Sequence, residues 1–330
     1  MERIKIAQIG IGHNHGDAKM YAVRKFPELF EVVGWCEEDE SWIEKRGNLP
    51  CYQGIPRMTR EEILNYPGLE AILVETDVWR MMEAAEQCVS RGLHIHLDKP
   101  AGEDFDEYDR ILTIAEKNHA IIQLGYMYRY NYAVQYILER VRSGEMGRVL
   151  MVHAEMNTEH PKEFKEWLNH FQCGDMYIFG SHLIDLVLLL QGKPDAIHAF
   201  PKRSGYEGCT SVDSALAVLE YPYGTSTVRA TSIEPNGYGR RQLVVVCEGG
   251  TFEVKPFENP THLYFTPART KNAYALVREE IPIPVQGPGE RYDGMAKDLY
   301  AFIREGKENP FGYKYERMLH RCILQACGIL

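Results

Sequence analysis

The first 37 residues constrain the fold more than any other stretch. Ile4, Ile6 and Ile9 lie in an apolar run that ends at Gly10-Ile11-Gly12. Asp17 to Phe30 can form a helix, and Phe30 to Cys36 is a second apolar run, closed by Glu37. Strand, glycine turn, helix, strand and acid, in that order, predict a βαβ unit with parallel strands. The glycines permit a tight turn and close approach of the backbone to a ligand, and the helix start presents amide groups to an anion. This is the geometry that receives a dinucleotide pyrophosphate. The third glycine of the usual spacing falls on His15, with Gly16 one place late. Either the helix packs more loosely or His15 points toward the ligand. Glu37 lies rather more than ~20 residues past the glycines, the place of an acid that accepts from the adenosine ribose hydroxyls. A 2′-phosphate there would meet like charge, so NAD is expected over NADP.

A second segment, Gly92 to Pro100, reads as a strand ending in the corner Asp98-Lys99-Pro100. Proline restricts the backbone before it, so Lys99 sits in a defined conformation. Together the two segments suggest a nicotinamide enzyme with a lysine held at the redox centre. Between and after them strand and helix alternate: strand 68–76, helix 80–91, strand 94–97, helix 106–118, strand 120–124. That order predicts a doubly wound parallel sheet, a Rossmann domain over residues 1–124. Residues 129–143 read as an amphipathic connecting helix ended by Gly144. From Gly147 the pattern changes to longer strands over 149–157, 196–201, 214–221, 226–233, 242–248 and 251–256. Residues 125–330 are therefore expected to form an α+β domain with a large, mostly antiparallel open sheet. Helices 175–191 and 292–305 are expected to cover one face of it, and a second subunit the other, giving a homodimer or homotetramer. The proline-rich stretch 257–289 reads as a long irregular loop.

Composition narrows the function classes. The net charge of −10 is dispersed and shows no Lys/Arg cluster, which argues against nucleic acid or an anionic membrane as partner. No apolar run reaches the length of a membrane span, and Met1-Glu2-Arg3 leads straight into a core strand without a signal-peptide region. The eight cysteines form no C-x-x-C pair and lie mostly in apolar segments, so a reduced, cytoplasmic protein is expected.

The chain resembles the Gfo/Idh/MocA family, named for glucose–fructose oxidoreductase and inositol dehydrogenase, over essentially its whole length. The family's glycine turn matches Gly10-Ile11-Gly12, and its E-K-P corner matches Asp98-Lys99-Pro100 with Asp for Glu. Gly125-Tyr126-Met127-Tyr128-Arg129-Tyr130 matches its G-[FY]-x-x-R-[FY] segment, and Gly180-Ser181-His182-Leu183-Ile184-Asp185 its G-x-H-x-I-D helix. Glu248-Gly249-Gly250-Thr251 and the helix 299–306 match two later motifs. The resemblance implies hydride transfer between a sugar or cyclitol carbon and a nicotinamide. It places Lys99 beside both cofactor and substrate and makes His182 the acid/base candidate. Cofactor-side candidates are Gly10, Ile11, Gly12, His13, Asn14, Glu37, Thr76, Asp98 and Lys99. Arg129 reads either as a cofactor-side anchor or as a packing residue. Tyr126, Tyr128, His160, Asp175 and Tyr177 are substrate-side candidates. Trp167 either stacks a sugar ring or belongs to an aromatic core.

Two departures from the family stand out. Dehydrogenating relatives place an aspartate four residues before the histidine, one helical turn away. Here that residue is Ile178, which cannot orient an imidazole, and Asp175 lies two turns away. Where relatives often carry P-N-x-x-H, this chain has Asp77-Val78-Trp79-Arg80-Met81. Proton transfer is therefore expected to fall on Lys99, or on a tyrosine or His160. Two alternatives follow: a glycoside-cleaving relative that oxidises only transiently, and a non-catalytic nucleotide-binding sensor that has lost the Asp/His pair. The pairs His13-x-His15 and His94-x-His96 have a spacing that can bind metal, but no neighbouring cysteine or carboxylate completes a ligand set. No metal is expected.

Overall fold

A computed structural model describes residues 2–258, 260–268 and 277–330. The chain divides into two compact units, one of residues 1–127 with 287–317, the other of residues 128–286 with 318–330.

In the first unit strands and helices alternate: β1 (Ile4–Ile9), α1 (Gly16–Arg24), β2 (Phe30–Cys36), α2 (Glu40–Arg46), α3 (Arg60–Leu64), β3 (Ala71–Val74), α4 (Met81–Ser90), β4 (His94–Leu97), α5 (Phe105–Lys117) and β5 (Ile122–Leu124). The five strands form a sheet of order β2-β1-β3-β4-β5, every pair parallel. A single parallel bridge between Trp35 and Arg57 marks a further strand position outside β2. With that position counted, the order is the 3-2-1-4-5-6 of dinucleotide-binding sheets. β3 is buried at all four positions, and β1 at five of six, as a parallel sheet covered on both faces requires.

The strand order reverses between β1 and β3, so the crevice at their C-terminal ends is the switch point where ligands bind in open α/β sheets. Gly10 follows β1 there with φ of +86°, and a Cβ on it would lie 2.4 Å from the backbone nitrogen of Thr76. Glycine is needed at this place for both its backbone conformation and its lack of side chain.

The second unit contains α6 (Tyr132–Arg142), β6 (Val149–Asn157), α7 (Lys162–Trp167), α8 (Ser181–Gln191), β7 (Ala196–Lys202), β8 (Ser214–Tyr221), β9 (Gly224–Thr231), β10 (Gln242–Cys247), β11 (Gly250–Val254), β12 (Leu263–Pro267) and β13 (Glu279–Ile281). These eight strands form one sheet of order β13-β12-β11-β10-β6-β9-β8-β7. All pairs are antiparallel except β6 with β9. Burial alternates along β8 and β10, so one face is packed and the other half-exposed. Helix α8 packs on β6 and β9. Two further helices close the chain, α9 (Asp293–Arg304) and α10 (Tyr313–Ala326).

Two expectations change. The stretch 257–289 contains β12 and β13 rather than only a loop, while residues 259 and 269–276 lie outside the described residues. Helix α9 belongs to the first unit and packs on α1, so it does not cover the large sheet. Helix α10 had no clear sequence signal; it carries no side-chain cue at a recognised start, only its amphipathic pattern. Among the described residues, no helix is long and apolar enough to cross a membrane.

Replacing Gly10 with Ala should cost several kcal/mol of stability, because the new methyl meets fixed backbone. Gly54→Ala is the matched control: φ there is +76°, but nothing lies within 4 Å. It should cost only about 1 kcal/mol. Denaturant unfolding of the two variants reads the difference, and equal losses would contradict the close packing at Gly10.

Candidate functional site

The glycine turn of the first unit is held from three sides. Gly10 N–H donates to Cys36 O (2.8 Å) and His13 N–H to Glu75 O (2.9 Å). The Glu37 carboxylate accepts from Ile11 N–H (2.8 Å) and also from Glu38 N–H (2.8 Å) and Asp39 N–H (3.0 Å). Glu37 thus fastens the turn to the end of β2, and only part of its acceptor capacity is left for a ribose. Arg46 donates to the carbonyls of Ile11 (3.0 Å) and His13 (2.5 Å) and to Asn14 Oδ1 (3.0 Å). With the carbonyls of the turn taken by Arg46, the N–H groups of Gly12 and Asn14 have no acceptor among the described residues. Two unspent amides before a helix start suit a phosphate, so the turn fits a dinucleotide. Thr76 backs the turn at Gly10, and its hydroxyl donates to Asp77 O (3.1 Å).

Behind the turn lies a buried polar cluster. Asp98, at the C-terminal end of β4, is fully buried. Its Oδ1 accepts from Lys99 N–H (2.7 Å). Its Oδ2 lies 3.2 Å from Lys19 Nζ, 3.2 Å from His15 Nδ1 and 3.3 Å from His13 Nδ1. Lys19 Nζ is 2.7 Å from His96 Nε2, whose other nitrogen is 2.9 Å from Gln123 Oε1. Glu75, also fully buried, leaves both carboxyl oxygens without a hydrogen-bond partner.

Burial lowers the pKa of His13 and of His96 to about 3, so both rings are neutral near pH 7. Burial and the neighbouring Asp98 charge hold Glu75 well above the usual carboxyl range. Burial pushes Asp98 upward too, but the histidines and Lys19 outweigh it and keep Asp98 well below its ordinary value. With His13 neutral, the Lys19 ammonium is the charge that does this near pH 7. The adjacent carboxyls therefore share one proton, held on Glu75. Lys99 is buried to 4% exposure, and the Lys99–Pro100 peptide is cis. Lys19, Glu75, Gln123 and Arg46 escaped the sequence reading, and His96 entered it only through its spacing from His94. Lys19, one helical turn past His15, was the most findable of them.

In the second unit, consecutive residues of one short turn grip α8. Tyr128 places its ring edge on His182, with centroids 5.0 Å apart, and stacks on Phe257. Its hydroxyl donates to Glu258 Oε1 (2.5 Å), which also accepts from Arg241 (2.9 Å). Arg129 donates from Nε (2.9 Å) and Nη2 (2.8 Å) to the two oxygens of Asp185, and both partners are buried. This bidentate pair ties Arg129 to α8 within the second unit.

Before α8 the chain makes a π turn over Met176–Gly180. The turn ends two residues before His182, which lies in the first turn of α8. Tyr177, Trp167 and His160 fall in one aromatic cluster through Phe164, Phe171 and Phe179. Trp167 is half-buried within this cluster. Tyr126 is buried at the exit of β5 in the first unit. Asp175 stands apart from the aromatic cluster: it is fully buried, its Oδ1 accepts from Ser232 Oγ (2.6 Å), and its Oδ2 has no partner.

A family model described as "Oxidoreductase family, NAD-binding Rossmann fold" matches residues 4–126, and one described as the GFO/IDH/MocA C-terminal domain matches residues 134–253. The chain is 24% identical to a scyllo-inositol 2-dehydrogenase (NADP(+)) of Bacillus subtilis over 185 residues, 56% of this chain and 51% of that enzyme. The match therefore spans about half the length of that relative. A UDP-N-acetylglucosamine 3-dehydrogenase of Acidithiobacillus ferrooxidans is 24% identical over 291 residues, 85% of this chain and 83% of that one. Levoglucosan dehydrogenase, solved in complex with NADH and levoglucosan, superposes with a TM-score of 0.81 at 16% identity, covering 99% of this chain and 97% of that one. At that identity the likeness shows the fold alone.

Asp175 yields a pH prediction. Burial, with a further push from Asp213 and against the Ser232 hydrogen bond, raises its pKa from 3.8 to about 7. An acid with a raised folded-state pKa leaves stability whole below its unfolded value and lowers it as pH rises through the folded one. Asp175→Asn should therefore match the parent near pH 4 and exceed it by a few kcal/mol at pH 8. Denaturant titrations at the two pH values check this, and a pH-independent difference would refute the buried, protonated acid.

Proposed function

The chain belongs to the Gfo/Idh/MocA family of oxidoreductases, and from that premise we propose a nicotinamide-dependent dehydrogenase of sugars or cyclitols that prefers NAD. The observation that carries the reading is Lys99, a buried lysine at the C-terminal end of β4, its backbone held by Asp98 beside the glycine turn. NAD, when bound, supplies the hydride acceptor or donor. The amides of Gly12 and Asn14 bind phosphate, and Glu37 disfavours a 2′-phosphate. Lys99 hydrogen-bonds the reacting oxygen and takes or returns its proton. His182, set by the Tyr128 edge, serves as a hydrogen-bonding group on the substrate side. The relatives named for sugars and cyclitols support this substrate class.

A screen of polyols, cyclitols and sugars, followed by the absorbance of reduced nicotinamide with NAD and with NADP, tests the reading. Turnover is expected with at least one of them, and more strongly with NAD. Lys99→Met should lower it by two orders of magnitude or more with the circular dichroism unchanged. Normal turnover by that variant would make the lysine structural. Binding of NAD without turnover of any substrate would leave the sensor alternative standing.

Self-association belongs to the same proposal. The half-exposed face of the large sheet includes Met151, Val218, Val244 and Val246, and α9, once expected to help cover this sheet, packs elsewhere. Light scattering should find a particle of at least twice 38.0 kDa. A particle of monomer mass at micromolar concentration would count against it.

A further inference from the structure

We propose that His13, His15 and Asp98 form a three-donor binding site for a divalent transition-metal ion such as zinc, set behind the glycine turn, with the fourth position left to water. The donor atoms of His13, His15 and Asp98 all lie within 4.8 Å of one another. Nitrogen and oxygen ligands at 2.0–2.1 Å around a tetrahedral zinc stand roughly 3.3 Å apart along each edge. Asp98 Oδ2 lies 3.2 Å from His15 Nδ1 and 3.3 Å from His13 Nδ1.

Glu75, fully buried with Oε2 3.7 Å from His13 Nδ1, is a second carboxyl beside the three donors and not one of them. Two imidazoles with a carboxylate select zinc, cobalt, nickel or iron over calcium and magnesium, which favour all-oxygen sites. From sequence no carboxylate completed a ligand set for the His13-x-His15 pair; the parallel sheet brings Asp98 to it from 83 positions away.

Lys19 is the competing cation. Its Nζ shares Asp98 Oδ2 at 3.2 Å, but it also has His96 Nε2 at 2.7 Å and can keep that partner when the ion takes Asp98. The site therefore predicts opposite effects from two neighbours on the same carboxylate. Removing a ligand weakens the ion's hold; removing Lys19 strengthens it.

The test is calorimetry of the chelator-stripped full chain with zinc chloride, without nicotinamide, so that it stands or falls apart from the dehydrogenase reading. One ion per chain is expected. The variant pair His13→Ala and His15→Ala should each weaken binding a hundredfold or more, and Lys19→Met should tighten it about tenfold or more. His262→Ala, at an exposed histidine paired with Glu280, should change neither stoichiometry nor affinity. Cobalt(II) gives a second readout: its tetrahedral visible band should form in the parent and vanish in His15→Ala. If His15→Ala does not fold, the Lys19→Met affinity and the parent's cobalt band still decide. No binding by the parent, or unchanged binding when His13 and His15 are both replaced, would overturn the site and leave Asp98 as a hydrogen-bonding scaffold only.

Discussion

One buried carboxylate, Asp98, organises the first unit. It joins four pieces of chain: the glycine turn through His13 and His15, α1 through Lys19, the Lys99 corner through a backbone N–H, and the exit of β5 through close packing. A Cβ on Gly125 would lie 2.6 Å from its Oδ1, so that position can only be glycine while Asp98 keeps its place. A lone ion in such surroundings would be costly; removing one partner of a buried pair commonly costs about 3–5 kcal/mol. Asp98 is tolerable because Lys19 balances it and the surrounding donors satisfy both oxygens. The same bonds orient Lys99, so the interaction that makes the core possible also sets the residue proposed for chemistry.

The second unit repeats the device with a different pair. Arg129 and Asp185 meet bidentately in the core, and the neighbouring residues Tyr128 and His182 touch edge to face. His182 and Asp185 are three apart on α8, hence on one side of it, and Tyr128 and Arg129 come from a single turn. The position of the histidine is thus set by an ion pair one turn along the helix and by a tyrosine whose hydroxyl is tied to Glu258 and Arg241. The π turn before α8 adds one residue to the usual count.

Much of the architecture was legible because it is written in local patterns. Buried parallel strands are continuous apolar runs, as in β1 and β3, and the half-exposed antiparallel strands β8 and β10 alternate, so the change of fold at about residue 147 shows in the sequence itself. Gly10 announces the turn because only glycine takes its backbone angle against Thr76. The glycine turn, the Asp98-Lys99-Pro100 corner and the histidine helix were enough to point to the family.

What the sequence alone determined is therefore the order and kind of the elements and the residue types at their ends, since periodicity and turn chemistry act over a few residues. Tertiary structure decided the partners. It set Asp98 against His13, His15 and Lys19, gave Arg129 to Asp185, left Glu75 without a hydrogen bond and returned residues 287–317 to the first unit. These pairings span tens of residues, up to 83 between His15 and Asp98. They follow from which strand lies beside which, and neither a period of 2 nor one of 3.6 encodes the order of strands in a sheet.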